Sequence, residues 1–318
     1  MRSRLLVVFL ACVAFGPLRA RADEGGVSFW LPGNFGSFVA TPGDPGWELA
    51  LIYYYSSGDA GADKVFPRGG RITAGVDATA SFIFVAPTYV LATPVAGGQA
   101  SYSVAAAFGH VDGNVDATLG GPTGGAISGS ESDARTGVSD LYPTASLKWN
   151  RGVSSYMAYV MAGVPTGVYD VGRLANLGTN HWAIDGGGGY TYLDEKKGRE
   201  LSAALGFTYN FENPATDYRN GVSSHLDWAA SQFFSETLHV GLVGYFYYQL
   251  TGDSGDGAVL GDFKSQVVGL GPQVGWFFAV GKQKWYANLK GYGEFDAKNR
   301  PAGWNAWLTL AIPLTAKK

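Results

Sequence analysis

Eight ionisable side chains stand out by their phase along the chain. Glu48, Lys148, Asp185, Glu200, His225, Asp227, Lys290 and Glu294 all fall on the polar side of alternating apolar and polar segments. Thr144, Asn210 and Asn288 share that side. Carboxylates, lysines and a histidine turned to one surface could relay protons, hold a metal or line a watery path. The first two uses need compact constellations, and none is encoded locally. The chain has no H-E-x-x-H zinc pattern, no G-x-S-x-G nucleophile turn and no phosphate-binding glycine loop. The GGGGY run at 186–190 has the wrong spacing for a dinucleotide fingerprint and reads as glycine permitting bending or close packing within a strand. His110, His181, His225 and His239 fall in separate segments. No catalytic residue, metal or cofactor is expected, and the ionisable set reads as a lining. A Ser–His hydrolase site assembled only by folding needs no local motif, so it stays an alternative.

The elements that must carry this lining are strands. Residues 200–212 place Leu201, Ala203, Leu205, Phe207, Tyr209 and Phe211 on one face, against Glu200, Ser202, Ala204, Gly206, Thr208 and Asn210 on the other. A period of two is the spacing of a β-strand. Related segments recur as far as Leu314, divided by turn residues. Strands that are apolar outward and small or polar inward are the signature of a transmembrane β-barrel. Strands are expected over 47–56, 72–93, 101–119, 140–149, 155–169 and 180–193. Six more follow over 200–211, 224–234, 239–250, 263–278, 284–296 and 303–314. The second contains Pro87 and could divide there.

Connections alternate in length. AGGQ, NRGV, EKKGR, SETL and GKQ are tight, whereas 57–70, 120–137, 170–179, 212–223 and 251–262 are long, and only the short 299–303 turn departs from the rule. Outer-membrane barrels sort their connections this way, with short periplasmic turns, long external loops and an even strand count. A secreted β-sandwich has no reason to do so. The fold class expected is therefore all-β, an antiparallel transmembrane barrel of about 12 strands.

Composition agrees. Only 15% of residues are charged while 14% are aromatic, a surface better suited to lipid than to water. The expected outward faces carry Trp47, Leu49, Leu51 and Tyr53, then Trp182, Ile184, Tyr190 and Tyr192, and finally Trp304, Leu308, Leu310 and Ile312. Trp and Tyr near strand ends fit interfacial girdles. No later segment reaches the ~18 consecutive apolar residues of a spanning helix. The N-terminus has the form of a secretory signal, with Arg2 and Arg4 before an apolar core at 5–15 and a small-x-small site at Ala20-Arg21-Ala22. Cys12, the only cysteine, lies in that segment, and its weak lipobox argues against a lipoprotein. The net charge of −3 becomes more negative by four when Arg2, Arg4, Arg19 and Arg21 leave with the signal. Such acidity disfavours nucleic acid. The chain divides into a signal peptide at 1–22, a leader or plug segment at 23–45 and a barrel at 46–318. Its expected place is a Gram-negative outer membrane, with membrane lipid, the barrel assembly machinery and a hydrophobic small molecule as partners.

The leader is rich in Gly and Pro, and its aromatics Phe29, Trp30, Phe35 and Phe38 need burial. It is expected either to trail in the periplasm or to fold into the barrel mouth as a plug. Met157, Tyr159, Met161, Tyr245 and Tyr247 also fall on inward phases. Methionine and aromatic rings lining a cavity suit a hydrophobic ligand, though they would equally pack beneath a plug. Glu48, Lys290 and Glu294 lie on strands that become neighbours on closure, and Asp185, His225 and Asp227 flank the strand at 200–211. The loop PTGVYDVGRLANLGTN, with Tyr169, Asn176 and Asn180, is expected outside, either as a lid on substrate entry or as a rigid cap on the barrel rim.

Four stretches carry a family resemblance: GGVSFWLPGNFGSF (25–38), PGWELALIYYYSSG (45–58), VPTGVYDVGRLANLGTNHW (164–182) and LGFTYNFENPATDYRNG (205–221). Through them the chain resembles the meta-pathway phenol-degradation family of outer-membrane proteins, which includes a sphingosine-induced member. The resemblance implies a barrel that passes or binds hydrophobic compounds, aromatics or lipids. Its alternative is a filled, structural or ligand-binding barrel without a through path. The C-terminus departs from outer-membrane proteins generally, because Leu314 is followed by Thr-Ala-Lys-Lys instead of ending on an aromatic residue.

Overall fold

A hydrocarbon environment leaves no water for backbone N–H and C=O groups, so a sheet that crosses it must close on itself. The computed structural model describes residues 29–65, 71–120, 126–258 and 263–315, and the expected signal segment lies outside them. Its strands are β1 (Gly46–Val65), β2 (Arg71–Val90), β3 (Gln99–Gly120), β4 (Ala126–Val138), β5 (Tyr142–Arg151), β6 (Ser154–Gly163) and β7 (Ala183–Asp194). They continue as β8 (Arg199–Asn210), β9 (Ser223–Phe233), β10 (Leu238–Gln249), β11 (Gln266–Val280), β12 (Gln283–Lys298) and β13 (Ala302–Pro313). Every pairing is antiparallel, and β1 lies between β2 and β13, so the sheet closes. β3 pairs with β5 over its first half and with β4 over its second. β4 and β5 are thus two parts of one stave, interrupted at residues 139–141, and the barrel has 12 staves. At the seam, Leu314 and Thr315 donate their amides to the Trp47 carbonyl.

Two expected loops are largely strand. The β1–β2 ladder runs to Val65 opposite Arg71, so 57–65 is paired, and 126–138 forms β4. These stretches (SGDAGADKV and AISGSESDARTGV) carry no apolar alternation that would mark them as strands. There the backbone ladder extends the sheet, joined between β3 and β4 by side-chain bonds such as Ser132 to Asn114 at 2.8 Å. The strand expected over 155–169 stops at Gly163, where the chain turns into the 164–182 loop. Pro87 does not divide β2; it pairs opposite Leu49, and only the β2–β3 ladder skips it, between Val85 and Thr88.

Alternation sorts side chains by face. Leu201, Leu205, Phe207 and Tyr209 of β8 are exposed on the outer wall while Glu200, Ser202, Ala204, Thr208 and Asn210 are buried inside. Trp47, Trp182, Trp276 and Trp304 are outward and exposed near strand ends, the depth at which an amphipathic ring is favoured. Residues 33–41 of the leader, which form no strand, are hydrogen-bonded to the inward side chains of Asp227, Lys290, Glu200, Thr191 and Lys148.

Leu205 stands near the middle of the outward face of β8. Leu205→Lys is expected to lower the unfolding free energy in phospholipid vesicles by about 2–4 kcal/mol. Glu195→Lys, in the exposed β7–β8 turn, should change it by no more than about 0.5 kcal/mol. Urea titration of the two variants in vesicles measures both.

Candidate functional site

Because successive residues of a strand face opposite ways, β6, β7, β8 and β9 send Tyr159, Asp185, Gly206 and His225 to one level inside the barrel. Tyr159 donates its hydroxyl to Asp185 Oδ1 at 2.7 Å, and Thr208 donates to Asp185 Oδ2 at 2.6 Å. His225 Nε2 lies 3.1 Å from Asp185 Oδ2 and 3.3 Å from the Tyr159 hydroxyl. Asp227 stands beside this group, its Oδ2 3.9 Å from His225 Nδ1. Room for the cluster comes from Gly206, where a Cβ would collide with both Tyr159 Oη and His225 Nε2. Trp30 of the leader stacks on the His225 ring at 3.6 Å and 12°. Phe35 then meets Trp30 and Tyr159 edge-on at 5.0 and 5.1 Å.

Inward side chains also bind the leader's backbone. Gly33, at φ +86°, donates its amide to Asp227 Oδ1 at 2.8 Å, a left-handed conformation that glycine adopts without Cβ strain. Lys290 donates to the carbonyls of Gly33 at 2.5 Å and Phe35 at 3.0 Å. Glu200 accepts from Ser37 Oγ at 3.0 Å and from the Phe38 amide at 3.2 Å. Thr191 accepts the Ala40 amide at 3.1 Å, and Lys148 donates to the Thr41 carbonyl at 3.2 Å. A buried amide or carbonyl without a partner costs about 1–3 kcal/mol. The wall thus supplies what a neighbouring strand would have supplied.

The remaining sequence-derived candidates are placed as follows. Met157 packs with Tyr159 and Ala40, flanked by Val39 and Phe35. Met161 packs against the larger aromatic cluster that includes Trp30, Tyr54, Tyr245, Tyr247 and Trp307. Tyr245 donates to Glu294 at 2.6 Å and accepts from Asn305 at 2.8 Å. The Arg300 guanidinium lies 5.2 Å from the Tyr247 ring. Asp185, His225 and Asp227 meet, but Glu48, Lys290 and Glu294 form no single site. Glu48 pairs opposite Pro313 at the end of β13, whereas Lys290 lies opposite Trp307, which faces Tyr54. Six residues along β1 separate those levels, about 20 Å at ~3.3 Å per residue. Glu48 instead lines a cavity of about 270 Å³ at the mouth near the tight turns, with Pro42, Asp44, Lys284 and Tyr286. A larger groove of about 510 Å³ runs along the wall past Leu201, Ala230 and Leu242, an outer face suited to lipid.

At the opposite rim the 164–182 loop is braced by a residue that the alternation pattern passed over. Asp140 sits buried in the β4–β5 break and accepts the Gly167 amide at 2.8 Å, the Thr179 amide at 2.9 Å and the Thr179 hydroxyl at 2.9 Å. Tyr169, Asn176 and Asn180 serve the same bracing. Asn180 donates to Asn213 at 2.7 Å, Asn213 donates to the Tyr169 hydroxyl at 3.1 Å, and Asn176 accepts the Asp170 amide at 2.8 Å. Arg173 forms a two-point pair with Asp133 of β4. Hydrogen bonds from the Arg173 guanidinium and then from the Ala175 amide hold the Asp133 carboxyl well below the usual carboxylate range.

Among the described residues, no group of three or more His, Cys, Asp and Glu side chains is arranged to hold a metal. His110 turns to Thr136, His225 to Asp185 and Tyr159, and His239 to Tyr286. None of these four partners is the serine that a hydrolytic pair would need.

A family model described as "Putative MetA-pathway of phenol degradation" matches residues 56–310. A crystal structure of an outer membrane channel from Pseudomonas putida F1 is similar with a TM-score of 0.66 at 16% identity, covering 86% of this chain and 97% of that one. A Pseudomonas aeruginosa FadL homologue is more distant, with a TM-score of 0.44 at 7% identity, over 86% of this chain and 91% of that one. No curated protein matches in sequence.

Asp140→Ala removes three hydrogen bonds to a charged acceptor, each worth about 1.5–3 kcal/mol. The Gly167 and Thr179 amides should then exchange with solvent at least about tenfold faster, since 1.4 kcal/mol is a factor of ten. Native-state hydrogen exchange reads this directly. Acid should act later on the Arg173–Asp133 pair. Its folded-state pKa is depressed, so its contribution is full above the unfolded value of about 3.9 and fades only as pH falls through the folded one. Protease accessibility of the loop is expected to be unchanged between pH 7 and about pH 4 in the intact chain. Arg173→Ala should raise it across that whole range.

Proposed function

The chain belongs to the family described as the putative MetA-pathway of phenol degradation, and on that premise we propose that it is an outer-membrane channel for small hydrophobic compounds. The observation that carries the reading is the way the interior is filled. Met157, Tyr159, Met161, Tyr245, Tyr247 and Trp307 face inward, and such side chains offer adaptable apolar contact. The space they surround is occupied by residues 29–45, held through side-chain hydrogen bonds that can be exchanged. A segment held by side chains and not by a sheet ladder can leave without opening the wall. We therefore read the leader as a plug that yields to solute. Lys290, Asp227 and Glu200 are its clasps, and the aromatic and methionine side chains are the path it uncovers. The 164–182 loop, braced by Asp140, shapes the outer entrance. Aromatic compounds and lipid-like chains both fit this chemistry. A hydrolase reading draws no support from the histidine contacts.

Uptake of labelled p-cresol and of a labelled long-chain acid by a deletion strain tests the proposal. Restoring the gene should restore uptake of at least one of the two, and unchanged uptake of both would contradict a channel role. Lys290→Met strips two charge-assisted bonds, each worth about 1.5–3 kcal/mol, from the leader. Uptake should then rise at least about tenfold if release of the leader limits passage.

A further inference from the structure

One leader side chain occupies a site that has the form of a ligand pocket. Phe38 has φ +64°, a left-handed conformation that a residue with a Cβ rarely adopts. Its amide is held by Glu200 and Ser202, at 3.2 and 3.0 Å. Its ring enters a box of four others: Phe233 of β9, His239 of β10, Phe277 of β11 and Tyr286 of β12. Centroid separations are 6.1, 5.3, 5.9 and 5.8 Å, with His239 and Tyr286 presented edge-on.

The box is built by the wall and not by the leader. His239 Nε2 lies 3.0 Å from the Tyr286 hydroxyl, and the two rings stack at 13°. Gly275 on the intervening strand leaves room for the pair, since a Cβ there would collide with His239 Nε2. Lys284 lies 4.6 Å from the centre of the Phe277 ring. His239 is fully buried, and its Nδ1 has no hydrogen-bond partner among the described residues. A hydroxyl can donate or accept, so one carried on a bound ring would satisfy Nδ1 in either tautomer. Tyr286 also lines the 270 Å³ mouth cavity.

We propose that the box of Phe233, His239, Phe277 and Tyr286 is a binding site for a single hydroxylated aromatic ring, and that Phe38 is its built-in competitor. A solute reaching the box displaces Phe38, loosens the Glu200 clasp and leaves through the adjoining mouth cavity. The inference rests on the channel reading for its purpose, but its test reads binding alone.

Calorimetric titration of the full-length protein in detergent with p-cresol, and with cyclohexanol as the non-aromatic control, is the experiment. Phe38→Ala should tighten p-cresol binding at least about tenfold, because a site occupied most of the time by its own side chain shows a proportionally weakened affinity. Cyclohexanol should bind this variant at least about tenfold more weakly than p-cresol does, because it cannot reproduce ring-to-ring contacts. Adding Phe277→Leu to Phe38→Ala should abolish the gain. Unchanged p-cresol affinity in Phe38→Ala, or cyclohexanol binding that variant as tightly as p-cresol does, would overturn the proposal. Should Phe38→Ala fail to fold, the wild-type chain still decides. Saturating p-cresol should speed hydrogen exchange of the Phe38 and Ala40 amides at least about threefold, and unchanged exchange overturns the site. A chain that binds p-cresol as described but restores no uptake would sink the channel reading and leave this site standing.

Discussion

An unpaired backbone amide or carbonyl cannot be left in a dry interior, and that requirement organises this molecule at two levels. In the wall it forces closure: each stave finds its partners in its neighbours, and the last is sewn to the first at Trp47 and Leu314. It also governs residues 33–41, which bind inward side chains of the wall without joining the sheet. Their amides and carbonyls are met one by one by Asp227, Lys290, Glu200, Thr191 and Lys148. Four ionisable groups of the lining, Asp227, Lys290, Glu200 and Lys148, thereby stand in for a missing strand.

The same requirement explains where the wall is irregular. At residues 139–141 the stave breaks, and the freed space is taken by Asp140, whose carboxylate gathers the amides of a loop that would otherwise hang over the rim. Gly206 and Gly275 are small where inward rings from neighbouring strands must come close. In both places one residue's lack of bulk or surplus of acceptors is matched by a feature of another element. Such pairings link the outer rim, the middle of the lumen and the mouth near the tight turns.

Much of this was legible in the sequence, and the boundary is physical. A period of two is a local property, so the faces of β8 could be read from residues 200–211 alone. Depth is not local. The stagger of strands on closure sets which inward residues share a level, and it separated Glu48 from Lys290 while joining Tyr159 to His225. The extensions of β1 and β4 were illegible because both their faces are polar. Asp140 gave no signal because its partners lie some 27 and 39 residues further on. Phe233, Phe277 and Tyr286 went unread, and nothing in the sequence marks them as a box around Phe38, since the leader's path has no periodicity.

The central claim is that the leader must move for solute to pass, and a reversible tether tests it. Ser37 Oγ lies 3.5 Å from Ser231 Oγ on β9, close enough for a paired Ser37→Cys and Ser231→Cys substitution to be joined. Cys12 is the chain's only native cysteine, so the introduced pair is the only one in residues 23–318. The measurement is flux of p-cresol into proteoliposomes carrying this variant, oxidised and then reduced. The account predicts flux near background when the leader is tethered and recovery on reduction. Equal flux in both states would contradict it.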